Sequence, residues 1–259
     1  MNLGFDPEVF ITNFDGELLL PNNFTNGQKG NAQFFATTGL LCDGVAVEVN
    51  TVSPAGGEKA FRTMLDTAFA TVRRRCVPGI LSTSSVIDLP RSILNTEQAQ
   101  ELGCEPDYCV YRGQMMRPMT ARRLGSKRYA GGHLHVSEYN AIDPHRWAKM
   151  IDIFLGSWLC FNDGPERRQF IGAGRIRIKG EAYIEYRVPS NLWFFHPEWA
   201  THIWNSMAAA TAHAQATTIT EEHLKEVEPL VLAAIDNGDI KARDLLWQRF
   251  NITDPRVAA

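Results

Sequence analysis

The chain has 259 residues, of which 44% are hydrophobic and 21% are charged, enough for one large domain or two small ones. Its formal net charge of −3 argues against a general nucleic-acid-binding protein. No linker, low-complexity tract or internal repeat divides the sequence. We therefore predict one domain over residues 1–259, with a sheet-bearing core at 1–190 and a helical part at 191–259.

The sequence carries no signal for secretion or membrane insertion. Its N-terminal residues lack a basic start followed by an apolar run, and no stretch approaches the roughly 20 apolar residues of a membrane span. The five cysteines include no Cys-x-x-Cys spacing, which is typical of reduced thiols. These features predict a soluble cytoplasmic protein that does not bind membranes.

The first predicted strand covers residues 7–12 and is followed by turn residues at 13–16 and an apolar run at 17–20, which indicates a hairpin. Pro7 cannot donate a backbone hydrogen bond. We therefore expect this strand to lie at a sheet edge or to begin at Pro7.

Asp43 and Gly44 form a turn before a predicted strand at 45–51, and apolar spacing predicts a helix at 58–76. Residues 78–130 are the least informative part of the sequence. They suggest only a strand near 85–89 and a short helix near 96–102.

A helix is predicted to begin at Asp143 and Pro144, because an acidic N-cap followed by proline is typical of a helix start. Its apolar stripe should pack across the back of the sheet. The remaining predicted elements are strands at 175–178 and 183–189 and helices at 197–215, 220–237 and 240–250. The pattern predicts an α+β fold with a curved, mainly antiparallel sheet and helices packed on one face.

Four predicted strand segments carry charged or imidazole groups at alternate positions, so these groups project from one face of each strand. If the strands share one sheet, such a crowded face requires divalent cations among the carboxylates. Oxygen donors with imidazole favour Mg²⁺ or Mn²⁺ over zinc. The candidate metal ligands are Asp6, Glu8, Glu48, His133, His135 and Glu185.

Basic residues accompany these candidates. Arg187 lies two positions after Glu185, so its guanidinium can contact a phosphate oxygen beside a metal held by the carboxylate. Arg175, Arg177 and Lys179 alternate on the preceding strand and form either a phosphate-neutralising face or a solvated one. A second basic segment at 112–128 is either a solvated loop or a guide for an anionic substrate or nucleic-acid partner.

Four motifs, in order, carry a family resemblance that spans residues 4–190. They are Gly4-Phe5-Asp6-Pro7-Glu8-Val9-Phe10, Asp43-Gly44-Val45-Ala46-Val47-Glu48-Val49-Asn50 with Ser53-Pro54, Gly131-Gly132-His133-Leu134-His135, and Glu185-Tyr186-Arg187-Val188-Pro189-Ser190. The sequence resembles the carboxylate-amine ligases of the glutamine synthetase and glutamate-cysteine ligase superfamily, in particular the phage-associated amidoligases called COOH-NH2 ligase type 2.

The resemblance implies a catalytic domain of that superfamily and ATP-dependent amide formation through an acyl phosphate, with Mg²⁺ or Mn²⁺ and ATP as cofactors. It implies metal ligation by Glu8, Glu48, His135 and Glu185, support from Asp6, and an Arg187 contact with ATP phosphates. His133 is the alternative imidazole ligand. The residues expected to carry the reaction are Glu48, Glu185, Arg187 and Arg175, and those expected to bind the nucleotide phosphates are Arg175, Arg177, Lys179 and Arg187.

The substrate could be a peptide, an amino-acid-bearing small molecule or a nucleobase, acted on in the host cytoplasm if a phage encodes the protein. Asp43 and Glu181 are candidate bases because they lie near the motifs. Two alternatives stay open: a metal-dependent hydrolase, and an inactive binding protein that uses the basic segment 112–128. The sequence also predicts that Glu48→Gln and Glu185→Gln abolish ATP turnover without loss of thermal stability, since crowded like charges are relieved.

Overall fold

The computed structural model describes residues 1–100, 102, 105–117, 119–138, 142–180, 182–216 and 219–253. Its strands are β1 Asn2–Val9, β2 Ile11–Thr12, β3 Leu18–Leu19, β4 Gln33–Phe35, β5 Thr38–Asp43, β6 Ala46–Thr51, β7 Ile80–Leu81, β8 Val86–Asp88, β9 Asp107–Cys109, β10 Gln114–Met116, β11 Lys127–Tyr129, β12 Gly132–Ser137, β13 Arg175–Gly180 and β14 Tyr183–Tyr186. Its α-helices are α1 Glu58–Arg75, α2 Arg91–Leu94, α3 Glu97–Gln100, α4 Ala121–Leu124, α5 Pro144–Ile151, α6 Ser157–Leu159, α7 Pro165–Phe170, α8 Ala200–Gln215, α9 Glu221–Asp236 and α10 Ile240–Phe250.

The largest sheet has nine strands in the order β10-β9-β13-β14-β12-β1-β6-β5-β4, and its neighbouring strands pair antiparallel. Two smaller sheets pair β11 with β8 and place β2 between β3 and β7. The predicted α+β class with a large antiparallel sheet is thus confirmed. The sheet curvature, the single-domain interpretation and the ligase-type catalytic domain stay predictions.

Most of the predicted elements are present. The β2-β3 hairpin forms, and α1 ends one residue before the predicted boundary. The helix that begins at Pro144 continues through a π-helical segment at Asp152–Gly156 into α6, and α5 contacts β13 and β14 as expected. In the described part of the segment 78–130 the strands and helices are all short, which explains why its sequence carries no clear period.

The expectation for the first strand was wrong. β1 begins at Asn2 and lies inside the sheet, between β12 and β6. The Glu8 amide donates to the Gly131 carbonyl beside β12, so the preceding nitrogen, that of Pro7, faces β6. The ladder with β6 starts only at Glu8. An internal strand tolerates proline here because no partner residue requires its missing N–H group.

Alternation along the central strands separates an apolar face from a polar one. Leu3 and Phe5 of β1, Leu134 and Val136 of β12, and Ile184 of β14 are each at most 1% exposed and belong to the main core. Helix α1 contacts β5 and β6, and α5 contacts β13 and β14. The intervening residues of these strands therefore point to the opposite face.

Gly132 of β12 allows a close approach of the segment that follows β14. The Trp193 indole donates to the Gly132 carbonyl at 2.9 Å, and a Cβ at Gly132 would overlap the Ser190 carbonyl oxygen. We expect Gly132→Ala to lower the free energy of unfolding by about 1–3 kcal/mol, measured by chemical denaturation.

Gly4→Ala is the matched control for this substitution. A Cβ at Gly4 would meet only the Cβ atoms of His135 at 3.6 Å and Pro54 at 3.7 Å, which are ordinary contacts. Equal destabilisation by both substitutions would show that the packing at Gly132 is not the cause.

Candidate functional site

The sheet brings the motif residues together through strand register. Glu8 lies directly opposite Glu48, Asp6 opposite His133, and His135 opposite Glu185. Residues that face each other across a ladder project from the same side of the sheet. The four strands β14, β12, β1 and β6 therefore place all six candidate metal ligands on one face.

Asp6 lies between the two histidines. Its Oδ1 is 3.0 Å from His133 Nδ1, and its Oδ2 is 3.0 Å from His135 Nε2. Burial alone would raise the pKa of Asp6, but the facing His135 and His133 outweigh it and hold the pKa well below its usual value. His135 also has its Nδ1 3.0 Å from the Tyr183 hydroxyl. Tyr183 was not recognised in the sequence.

The two imidazoles differ in their surroundings. Burial lowers the pKa of His133, and the Arg187 charge lowers it further. Burial also opposes protonation of His135, but the Asp6 charge outweighs burial and raises the pKa of His135. Asp6, His135 and Glu185 each offer a ligand atom within 4.8 Å of the others, whereas His133 is not in this group. His133 Nδ1 nevertheless lies 3.0 Å from Asp6 Oδ1 and 3.8 Å from Glu185 Oε1, so both imidazoles stay candidate ligands.

Glu185 is surrounded by basic groups. Its Oε1 accepts from Arg177 Nη1 at 2.8 Å and from Arg187, and its Oε2 lies 3.1 Å from Lys179 Nζ. Burial would raise its pKa, but nearby His133 and Arg187 lower the pKa to about 2. A metal ion at Glu185 would have to share this carboxylate with three cationic side chains. Glu185 thus orients the basic cluster in this structure.

Asp107, which sequence analysis missed, holds the outer part of the same cluster. It is buried, accepts from Arg175 Nε at 2.7 Å, and lies 3.4 Å from Arg187 Nε. The four predicted phosphate-binding side chains, Arg175, Arg177, Lys179 and Arg187, therefore lie along two carboxylates on one face. Asp107 lies in the segment 78–130, where no sequence period pointed to it.

Glu8, Asp43 and Glu48 form a second carboxylate group, with ligand atoms within 4.8 Å of one another. Glu8 accepts from the Gly131 amide at 2.8 Å, and Glu48 accepts from the Asn50 side chain at 3.0 Å. Burial and the Asp43 charge raise the pKa of Glu8 to about 8. Burial and the charges of Asp6 and Asp43 raise the pKa of Glu48 to about 10.

The donor chemistry of this second group fits a hard divalent cation. Three carboxylates converge, and none of them takes part in an ion pair between described residues. A cation would relieve the repulsion that raises these pKa values. Glu8 and Glu48 were predicted ligands, whereas Asp43 was considered only as a base. The second candidate base, Glu181, lies outside the described residues.

The basic segment 112–128 does not form one surface. The Arg128 side chain is buried and donates to the carbonyls of Ala99 and Gly125, and Lys127 pairs with Asp88 and Glu166. The exposed arginines of the segment are Arg112, Arg117, Arg122 and Arg123. Only these four remain for the predicted role in guiding a ligand.

The second carboxylate group predicts a pH-dependent stability. The pKa values are raised from a usual 4.5 to about 8 for Glu8 and about 10 for Glu48. At pH values between the usual and the raised pKa, the folded protein therefore binds more protons than the unfolded chain. The free energy of unfolding should therefore fall as pH rises from about 6 to about 9 without metal. Thermal melting in EDTA across this range measures the effect.

Added Mg²⁺ should raise the melting temperature more at the alkaline end, because it binds the deprotonated carboxylates. Glu48→Gln should flatten the pH dependence, since it removes a group whose pKa is raised to about 10. A melting temperature that rises with pH in EDTA would contradict this assignment of charge.

Comparisons with protein-family models, with curated proteins and with solved structures found no match to this chain. None of the described helices is long and apolar enough to span a bilayer.

Proposed function

We propose that this protein is an ATP-dependent carboxylate-amine ligase that forms an amide bond through an acyl phosphate. The proposal is carried by two clusters that lie on one sheet face. One consists of the three carboxylates of Glu8, Asp43 and Glu48, which have no ion-pair partners among the described residues, and the other of four basic side chains. Such a face suits metal-bound polyphosphate, since the first part attracts cations and the second attracts phosphate oxygens.

In the proposed reaction a substrate carboxylate oxygen attacks the γ-phosphorus of ATP, the bond to the bridging oxygen breaks, and ADP leaves. The amine nitrogen then attacks the acyl carbon, phosphate leaves, and one amine proton passes to a base. Activation is required because a carboxylate is a poor electrophile. Bound Mg²⁺ or Mn²⁺ would supply positive charge beside the phosphates.

The protein's own residues have separate parts in this proposal. Glu8, Asp43 and Glu48 would hold a cation on one side of the face, and Asp6, His135 and Glu185 would hold a second or orient the nucleotide. Arg177, Lys179 and Arg187 would stabilise the charge of the transferred phosphoryl group, with Glu185 fixing their positions. Asp43 remains a candidate for the base, and a cytoplasmic location remains part of the proposal.

Isothermal titration calorimetry with ATP plus Mg²⁺ or Mn²⁺ tests the proposal, followed by ADP-release assays over pairs of carboxylates and amines. We expect metal-dependent ATP binding, and ADP release that needs both substrates. Arg177→Gln should weaken ATP binding about tenfold or more, because it removes a charged contact. Arg62→Gln is the control, since Arg62 is an exposed residue of α1 and lies outside the site.

The same assays separate the alternatives. Metal-dependent cleavage of an amide or phosphoester without ATP would replace the proposal with a hydrolase. Absence of both nucleotide binding and turnover would favour the inactive binding protein.

A further inference from the structure

A cavity of about 370 Å³ lies at the β10-β9-β13 end of the large sheet. The charged residues in its lining are Arg112, Arg168, Arg175, Glu228 and Asp236. Its volume is in the range of small-molecule sites. The cavity has no part in the metal and phosphate chemistry described above, except that it shares Arg175.

The cavity is adjacent to the basic cluster of the site. Arg175 lines the cavity and donates to Asp107, and the same Asp107 carboxylate lies 3.4 Å from Arg187 Nε. Arg187 in turn donates to Glu185. A ligand group beside Arg175 is thus separated from Arg187 by a single carboxylate, that of Asp107.

The opposite charges in the cavity come from different elements. Glu228, Leu232 and Asp236 are spaced four residues apart along α9, so they line the cavity from one face of that helix. The arginines come from elsewhere: Arg175 from β13, Arg168 from α7, and Arg112 from the turn after β9. A ligand with a negative and a positive end matches two walls of opposite charge.

Several of the charged groups are fixed within the protein. Asp236 Oδ1 accepts from the Ala173 amide at 2.7 Å, and a Cβ at Gly172 would come within 2.6 Å of that oxygen. Arg168 donates to the Asp163 carbonyl, and its Nε is buried without a hydrogen-bond partner among the described residues. The Arg168 guanidinium is thus held in place by the protein, and it contributes positive charge to the cavity wall.

We propose that this cavity binds an α-amino acid in its zwitterionic form, with an uncharged side chain. The carboxylate would face the arginines and the ammonium group would face Glu228 and Asp236. The rest of the lining is uncharged and includes Tyr111, Met116, Gln169, Phe170, Leu232 and Asn237, which suits an uncharged side chain.

The inference goes beyond the proposed function: the amino acid binds beside the basic cluster, since the cavity lining includes Arg175 but not Arg177, Lys179 or Arg187. Its carboxylate would lie on the Arg175 side, next to the basic cluster. Its ammonium group would be held by carboxylates on α9, so it would not act as the nucleophile.

Calorimetry on the full chain without ATP tests the cavity. Leucine, methionine and glutamine should bind, whereas N-acetylleucine and leucine amide, which each lack one charge, should bind about tenfold more weakly or worse. Glutamate and lysine should also bind more weakly, because each adds a charge that the apolar lining does not match. Short peptides should bind less well than free leucine, since their two charged ends are further apart.

Paired variants locate the binding. Arg112→Gln and Glu228→Gln should each weaken leucine binding about tenfold. Arg62→Gln and Glu222→Gln change exposed residues of the same types outside the cavity and should leave leucine binding unchanged. The proposal is overturned if Arg112→Gln and Glu228→Gln leave leucine binding unchanged, or if N-acetylleucine binds as tightly as leucine. Absence of binding at millimolar leucine overturns it as well.

The two proposals can fail separately. Amino-acid binding that depends on Arg112 and Glu228 but is accompanied by no ATP binding would keep the cavity assignment and remove the ligase. Metal-dependent ATP turnover on other carboxylates, without leucine binding, would remove the cavity assignment alone.

Discussion

Glu48→Gln is expected to reduce ATP turnover by about 100-fold or more and to raise the melting temperature of the metal-free protein. Glu48 belongs to the second carboxylate group, where burial and neighbouring charges raise its pKa to about 10. The amide has nearly the shape of the protonated carboxyl group and cannot ionise, so it removes the cost of the charge that Glu48 acquires when it deprotonates. Coupled ADP-release assays and thermal melting in EDTA measure the two effects.

Glu222→Gln, an exposed position on α9, provides the matched control and should change neither quantity. Wild-type turnover in Glu48→Gln would remove Glu48 from the proposed metal site. A lowered melting temperature of Glu48→Gln would show that neighbouring groups stabilise the charge of Glu48 in the metal-free protein.

Glu185→Gln should have the opposite effect on stability. The sequence alone gave the same expectation for both glutamates, but the structure shows that Glu185 pairs with Arg177, Lys179 and Arg187. Its side chain is only 2% exposed. Losing a buried carboxylate shared by three cations costs about 3 kcal/mol, or roughly 5–10 °C of melting temperature for a domain of this size. Turnover should also be lost, since the basic cluster loses its fixed position.

Glu185→Asp separates charge from length, because it keeps the carboxylate but shortens its reach. We expect it to retain more stability than Glu185→Gln while still losing most of its turnover. If the melting temperature of Glu185→Gln equals that of the wild type, the ion pairs of Glu185 stabilise the fold less than their burial implies.

The strand pattern predicted the candidate site better than the architecture around it. Alternation placed Asp6, His135 and Glu185 on common strand faces, and the ladder registers bring them together. The sequence could not show that the predicted ligands divide into two groups, because the division depends on how β1 is shared between β12 and β6.

Two kinds of residue escaped prediction for physical reasons. Asp107 lies in a three-residue strand, too short to show a period. Asp43 precedes a turn, and sequence analysis identified it only as a candidate base because it lies near a motif. Its approach to Glu8 and Glu48 follows from the β5-β6 hairpin. The expectation for β1 was wrong because a proline destabilises a sheet only where a neighbouring strand would accept a hydrogen bond from that backbone nitrogen.

The strand order also has a consequence for how the candidate site is assembled. The four strands that carry the candidate ligands begin at residues 2, 46, 132 and 183 but lie side by side. Contacts so distant in the chain form slowly and late in folding. A nascent chain that has not yet added β14 would lack one wall of the candidate site, so the proposed ligase activity would report completed folding and not partial assembly.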